Sequence, residues 1–100
     1  MKKIEFGIDV IFYIGQNCSE NDELFKTMPG NATWFHLDSQ SSSHVYCVCD
    51  RKLTKEELKK GAELVRIWSK KSGKVIYAKR SKLKRLGPGL VELLELPKYA

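Results

Sequence analysis

The feature that most constrains the fold is one long amphipathic helix, which the sequence predicts from Lys55 to Lys70. Thr54 followed by Glu57 has the spacing of a capping box and marks the start of this helix. Apolar residues then recur at helical spacing, at Leu58, Ala62, Val65 and Trp68. A helix with one apolar stripe must bury that stripe against another layer, so the other residues are expected to form that layer.

Most of the other residues fall into strand-length segments. Short runs rich in apolar residues, bounded by turn residues, predict strands at Lys2–Phe6, Val10–Ile14, Thr33–Leu37, His44–Cys49, Lys74–Arg80 and Leu90–Leu96. A short helix with Ser19 as its N-cap is predicted after the second strand, and a helical turn or loop at Ser81–Leu86. No βαβ unit repeats along the chain. We therefore expect a single α+β domain over residues 1–100, with a mixed or antiparallel sheet of about six strands, one long helix and one short helix.

Composition narrows the class of protein. The chain is 42% hydrophobic and 30% charged, which is typical of a folded globular domain. Its longest apolar runs, such as Val10–Ile14, are far shorter than the ~20 residues of a membrane span, and Glu5 and Asp9 interrupt any signal-peptide pattern. The three cysteines form no disulfide framework. We expect a cytoplasmic protein that does not associate with membranes.

Positive charge is concentrated in one part of the chain. The net charge is +6, and the window from Arg66 to Arg85 holds nine of the eighteen Lys and Arg residues and no Asp or Glu. A surface of this kind attracts polyanions, which favours nucleic-acid binding over a merely solvated basic face. The candidate phosphate contacts are Lys70, Lys71, Lys74, Lys79, Arg80, Lys82, Lys84 and Arg85. Tyr77 lies among them and is a candidate for stacking on a base.

The sequence offers little support for catalysis or metal binding. Cys47 and Cys49 are separated by one residue within a predicted strand, unlike the knuckle that wraps a zinc ion. Three serines precede His44, but no nucleophile elbow or glycine-rich oxyanion turn accompanies them. We therefore expect no enzyme activity, no metal site and no cofactor.

Four segments, taken together, resemble a known family. They are GQNCSENDEL at 15–24, TWFHL at 33–37, SHVY at 43–46 and VIYAKRSKLK at 75–84. In this order, over about residues 12–93, they are similar to the NFACT-R domain, the RNA-binding module of the NFACT ribosome-associated quality-control factors. Gln16 departs from the family pattern, which has Arg or Lys at that position. The motif residues that the resemblance adds as candidate site residues are Asn17, Asn21, His36, Ser43 and His44.

The resemblance implies a non-catalytic module that binds ribosomal RNA, tRNA or ribosome-associated complexes. The chain has the length of the stand-alone short form, so only the binding role of the NFACT factors is expected of it. Two roles stay open for His36 and His44, either hydrogen bonds to RNA or support of the loop between their strands. Asn17 and Asn21 are expected to fix the strand-to-helix turn. Two alternative functions stay open, docking on an acidic or ribosomal-protein surface and binding of duplex DNA.

Overall fold

Eight strands and two helices make up the structure, a computed structural model that describes residues 1–100. The strands are β1 (Lys2–Glu5), β2 (Ile11–Gly15), β3 (Thr33–Leu37), β4 (His44–Val48), β5 (Val75–Lys79), β6 (Leu83–Gly87), β7 (Leu90–Leu93) and β8 (Lys98–Tyr99). The helices are α1 (Cys18–Thr27) and α2 (Lys55–Ser69). A 3-10 turn at Arg80–Lys82 joins β5 to β6. Neither helix is long and apolar enough to span a lipid bilayer.

Six of the strands form one sheet in the order β1-β2-β4-β3-β5-β8, and every neighbouring pair is antiparallel. The register places Cys47 of β4 between Phe12 of β2 and Thr33 of β3. The other two strands, β6 and β7, form a separate hairpin. A six-stranded antiparallel sheet with one long and one short helix confirms the predicted α+β class.

Helix α2 covers one face of the sheet, as its apolar stripe predicts. The capping box is present, because Glu57 N–H donates to Thr54 Oγ1 at 3.2 Å and Thr54 N–H donates to Glu57 Oε1 at 2.8 Å. The stripe packs on alternate strand residues, and the buried members of this core are Val10, Phe12, Ile14, Phe35, Leu37, Val45, Cys47, Cys49, Ala62, Leu64, Val65 and Val75. Cys47 and Cys49 are thus apolar core residues on the α2 side, and burial raises the pKa of Cys47 to about 12.

Helix α1 and the β6–β7 hairpin cover the opposite face. Strand alternation turns Trp34, Tyr46 and Ala78 to this side, where they form a second core with Leu24 and Phe25 of α1 and Leu83 of β6. The molecule is therefore layered, with α2, the sheet, and then α1 together with the hairpin. Both faces of the sheet are buried, and the only large opening on the α1 side lies where the hairpin leaves β3 and β4 uncovered.

Two predictions near the C-terminus are only partly correct. Of the predicted helical turn or loop at Ser81–Leu86, the first residues belong to the 3-10 turn and the rest form strand β6. The strand predicted at Leu90–Leu96 is present at 90–93, but it pairs with β6 instead of joining the main sheet. Gly87, Pro88 and Gly89 are the turn between these strands, and Gly89 has a φ of +71°, which favours glycine. The sixth strand of the main sheet is Lys98–Tyr99, which pairs with β5.

Candidate nucleic-acid interface

A groove of about 450 Å³ opens between the sheet and the hairpin, and we call it the histidine groove. Trp34, His36, His44 and Ile76 line it from the strands, and the loop at 39–42 and the start of β7 border it. Asn21 and Cys18 of α1 contribute to the same lining. No carboxylate lines the groove. A negatively charged ligand therefore meets no charge repulsion from its walls.

Three aromatic rings meet at the sheet side of the histidine groove. Trp34 and His36 are two residues apart on β3, so their rings lie on the same face and stack at 5.3 Å with an interplanar angle of 18°. His44 on the adjacent strand stands almost perpendicular to His36, at 4.8 Å between centroids. Trp34 and His44 are buried, whereas His36 is half-buried. His36 is thus the most exposed ring of the three.

The hydrogen bonds of the two histidines determine which ring nitrogen carries the proton. His36 Nδ1 lies 2.7 Å from the carbonyl oxygen of Leu37, which can only accept, so Nδ1 of His36 is protonated. The indole N–H of Trp34 donates to His44 Nδ1 at 3.3 Å, so the proton of neutral His44 is on Nε2. The two Nε2 atoms make no hydrogen bond, and neither is among the fully buried unpartnered atoms. The pair therefore presents one acceptor, on His36, and one donor, on His44.

Both histidines are neutral at physiological pH. Burial lowers the pKa of His44 to about 3, with a further contribution from His36. Burial also lowers the pKa of His36, and the charge of Lys71 acts in the same direction, against the carbonyl of Leu37. The histidines consequently offer hydrogen bonds and ring surface, and the positive charge near the groove comes from lysines.

The loop beside the histidines is held mainly by serines. Ser42 Oγ accepts the N–H of Leu37 at 3.1 Å and donates to the carbonyl of Ser43 at 2.9 Å. The N–H of Ser43 donates to Ser69 Oγ at the end of α2, at 2.8 Å. Lys71 Nζ donates to the carbonyl of Ser41 at 2.7 Å. His44 has no hydrogen bond to this loop, so loop support does not account for its unpartnered Nε2.

The turn from β2 into α1 depends on two asparagines. The N-cap of α1 is Asn17, whose Oδ1 accepts the N–H of Glu20 at 2.9 Å, and the predicted cap at Ser19 is wrong because Ser19 lies inside the helix. Asn21 is only 7% exposed and its Oδ1 has no hydrogen-bond partner. A Cβ at Gly15 would lie 2.2 Å from that oxygen, so the helix packs this closely only against glycine.

The structure divides the predicted cations into groups. Lys70, Lys71 and Lys74 follow α2 and lie beside the loop of the histidine groove. Lys79, Arg80 and Lys82 lie at the other end of β5, about 16 Å away at strand spacing, next to the turn at 29–31. Lys84 and Arg85 are on the hairpin. Of all the cations from Arg66 to Arg85, only Arg85 forms an ion pair.

Two predicted contacts need correction. Arg85 binds the buried Asp22 through both carboxylate oxygens, at 2.7 and 3.1 Å, so its charge is neutralised and it is not free to contact phosphate. This contact holds the pKa of Asp22 well below its usual range. Tyr77 lies on the α2 face, stacked on Phe35 at 6.0 Å, so it cannot act together with the histidines on the opposite face.

Two further cations have local structural partners. Arg80 lies over the ring of Phe25 at 3.9 Å and its Nε–H donates to the carbonyl of Phe25 at 2.8 Å. That position is near the C-terminal end of α1, where a positive charge is favourable. Lys84 stands directly across from Glu92 in the hairpin register. The cations left beside the groove without an ion pair are Lys70, Lys71 and Lys74. Lys74 lies over the ring of Tyr99 at 5.6 Å, and the hydroxyl of Tyr99 donates to Asp38.

Trp34 is the candidate site residue that the sequence interpretation did not single out. Its place in the site follows from two facts, its i, i+2 relation to His36 and the pairing of β3 with β4. The first is visible in the sequence as Trp-Phe-His within a predicted strand. The second, which brings the indole N–H to His44, requires the strand pairing and so could not be predicted.

Comparison with known proteins identifies the family of the chain. The family model described as "NFACT protein RNA binding domain" matches residues 6–92. The chain belongs to the NFACT RNA-binding domain family. It is therefore an RNA-binding module by family, and the motif segments that carry His36 and His44 lie inside the matched range. No curated protein matches the chain.

A solved structure shares the fold. It is the C-terminal part of the fibronectin/fibrinogen-binding protein from Streptococcus suis, which matches with a TM-score of 0.82 and 28% sequence identity. The match covers 91% of this chain and 40% of that chain. The NFACT-type domain described here thus corresponds to less than half of the longer structure.

Proposed function

We propose that this NFACT-type domain is a non-catalytic module of the cytoplasm that binds structured RNA, either ribosomal RNA or tRNA, in ribosome-associated complexes. The observation that carries the proposal is the histidine groove itself, which has no carboxylate in its lining and lies beside Lys71. Family membership supports RNA as the ligand class. The ribosome as the place of action follows from the resemblance to quality-control factors.

The lysines beside the groove supply the attraction to the RNA backbone. Lys70, Lys71 and Lys74 are exposed and form no ion pair. Lys71 is anchored by its bond to the carbonyl of Ser41, so its charge is held beside the loop that borders the groove. An anchored ammonium loses less side-chain entropy when it binds phosphate than a freely moving one does. The second group, Lys79 and Lys82, can contact a more distant part of the same strand.

A binding role fits the chemistry of the site better than catalysis. A nucleophile needs a general base within hydrogen-bond reach, and the base needs a third group to orient it. Here His36 has an orienting bond at Nδ1, but no serine hydroxyl is hydrogen-bonded to Nε2 of either histidine. Ser42 Oγ already accepts and donates backbone hydrogen bonds. These arrangements favour a rigid recognition surface.

Removing charge beside the groove is expected to weaken RNA binding. The double variant Lys71→Ala/Lys74→Ala should lose affinity by about tenfold or more, since a hydrogen bond to a charged group contributes about 1.5 kcal/mol or more. The dependence of log K on log salt should become shallower by about one unit for each lysine removed. Fluorescence anisotropy with a labelled tRNA at several salt concentrations measures both effects.

A matched control is available at the other end of α2. Lys55→Ala/Lys59→Ala removes the same charge from two exposed lysines without ion pairs, about 20 Å from the loop along a 15-residue helix. It should change the affinity much less than the test variant does. Equal losses in the two variants would contradict a localised site, and no loss in either would contradict the proposal.

A second candidate function is docking on an acidic or ribosomal-protein surface. The observation that favours it is a set of exposed leucines on and after the hairpin, Leu86, Leu90, Leu94 and Leu96, which are 56–88% exposed. Co-sedimentation with ribosomes before and after nuclease treatment separates the two functions, because only a protein contact survives removal of RNA. Binding to duplex DNA in the same anisotropy assay tests the remaining alternative.

A further inference from the structure

We propose that the histidine groove binds the base of a single unpaired nucleotide, so that the module distinguishes RNA with a bulged or looped-out base from fully paired RNA. This inference rests on the proposed RNA-binding function and specifies the ligand of the same site. Three features carry it: the size of the groove, an accessible flat ring, and a donor–acceptor pair beside that ring.

The dimensions of the groove fit a base and exclude a duplex. Its volume of about 450 Å³ lies within the range of about 300–1,000 Å³ that is usual for small-molecule sites. It is bounded by the hairpin on one side and the serine loop on the other, so a paired stem can rest only on its rim. Sequence-specific recognition of RNA generally uses such splayed-out bases rather than the deep groove of the A-form helix.

His36 provides a flat surface for stacking. Its ring is half-buried and is held parallel to the buried Trp34 ring, so its orientation is fixed before a ligand arrives. Ile76, Leu90 and Val91 line the same groove and supply apolar contacts to a second side of an inserted base. Aromatic and apolar surfaces of this kind stabilise unstacked bases in single-stranded RNA recognition.

The polar atoms beside the stacking surface complement the edge of a base. His36 Nε2 is an acceptor and His44 Nε2–H is a donor, and both are free of protein partners. Every nucleobase has a hydrogen-bond donor next to an acceptor on its Watson–Crick edge, which such a pair can match. Because the histidines are neutral, the pair keeps one donor and one acceptor near neutral pH.

Asn21 shapes the wall of the groove on the α1 side. Its side chain lines the groove, and its buried Oδ1 packs against Gly15 of β2, where an added Cβ would lie 2.2 Å away. The charge nearest to the serine loop is that of Lys71, which binds the carbonyl of Ser41. The phosphate of the inserted nucleotide is therefore expected on the loop side of the groove.

The test compares two RNA hairpins with the same stem, one fully paired and one with a single unpaired nucleotide in the stem. The wild-type protein is expected to bind the bulged hairpin about tenfold more tightly, as stacking of one base on an aromatic side chain allows. His36→Ala should remove this preference and retain the affinity for the paired hairpin. Lys55→Ala should keep both affinities and the preference.

The outcomes separate this inference from the proposed function. If the wild-type protein binds both hairpins equally, the inference is wrong and the RNA-binding proposal stands. If it binds neither, the proposed function itself fails. In case His36→Ala does not fold, nitrogen-15 spectra of the wild-type histidine rings provide a second readout. The Nε2 resonances should shift with the bulged hairpin, and unchanged resonances at saturation would overturn the inference.

Discussion

Lowering the pH from 7 to 5 is expected to reduce the free energy of unfolding by about 2 kcal/mol through His44 alone. The pKa of His44 is lowered from 6.5 to about 3 in the folded protein, because burial disfavours the charged ring. Between these two values the unfolded chain binds a proton that the folded chain does not. Stability conferred by the neutral ring is therefore present above pH 6.5 and is lost as the pH falls towards 3.

His36 adds to this effect in the same direction, since its pKa is also lowered by burial, and the chain has only two histidines. Carboxylates with a lowered pKa, such as Glu57 at about 2, lose their stabilising effect mainly below about pH 5. Urea unfolding at pH 7, 6 and 5 measures the effect directly.

A matched variant isolates the contribution of His44. In His44→Gln the side-chain carbonyl can still accept the indole N–H of Trp34, but nothing at that position titrates. The difference in stability between pH 7 and pH 5 should shrink by about 2 kcal/mol in this variant. A wild-type protein that is equally stable at both pH values would show that the rings are not buried as described.

Gly61→Ala is expected to lower the free energy of unfolding by about 2 kcal/mol, although alanine is the better helix former. A Cβ at this position would lie 2.5 Å from Cε2 and Cζ of Phe35, far inside van der Waals contact. Phe35 is fully buried and its ring is held between Phe12 and Tyr77, at 6.3 and 6.0 Å. Overpacking of about 3 kcal/mol therefore outweighs the roughly 1 kcal/mol gained in helix propensity.

Two further variants make the Gly61 result specific. Gly30→Ala is the control, because its added Cβ would meet only Ser81 Cβ at an ordinary 3.5 Å and its φ is not positive. It should be neutral or stabilise the fold by about 0.4–1 kcal/mol. Phe35→Leu combined with Gly61→Ala should show a favourable coupling energy, since the smaller side chain relieves the clash. Additive effects in denaturant unfolding would contradict the close packing of α2 on β3.

Local sequence signals predicted the parts of the fold that depend on near neighbours. The capping box at Thr54 and Glu57 fixes the start of α2, and strand alternation correctly placed Val45 and Cys47 on the opposite face from Tyr46. The hairpin was missed because β6 contains two exposed cations and a register irregularity near Gly87, so its alternation is weak. The position of the hairpin is determined by its packing against the sheet, through Leu83, Val91 and Leu93.

The candidate site shows the same division between local and long-range information. The motif histidines could be named from the sequence, and their facing arrangement follows from their positions on β3 and β4. The partner of Arg85 could not be foreseen, because Asp22 lies 63 residues away in the chain. Strand alternation predicted which residues of β5 share a face with Tyr77. It could not predict that this face is covered by α2 and that the groove opens on the other face, because that depends on where α1, α2 and the hairpin pack.

The most direct test of the central claim is the affinity of the wild-type protein for a structured RNA, measured as the salt concentration rises. Binding through about four phosphate contacts, made by the lysines beside the histidine groove together with Lys79 or Lys82, predicts that log K falls with log salt with a slope of about −3. A slope near zero would contradict the account, since an interface of exposed, unpaired lysines cannot be indifferent to salt.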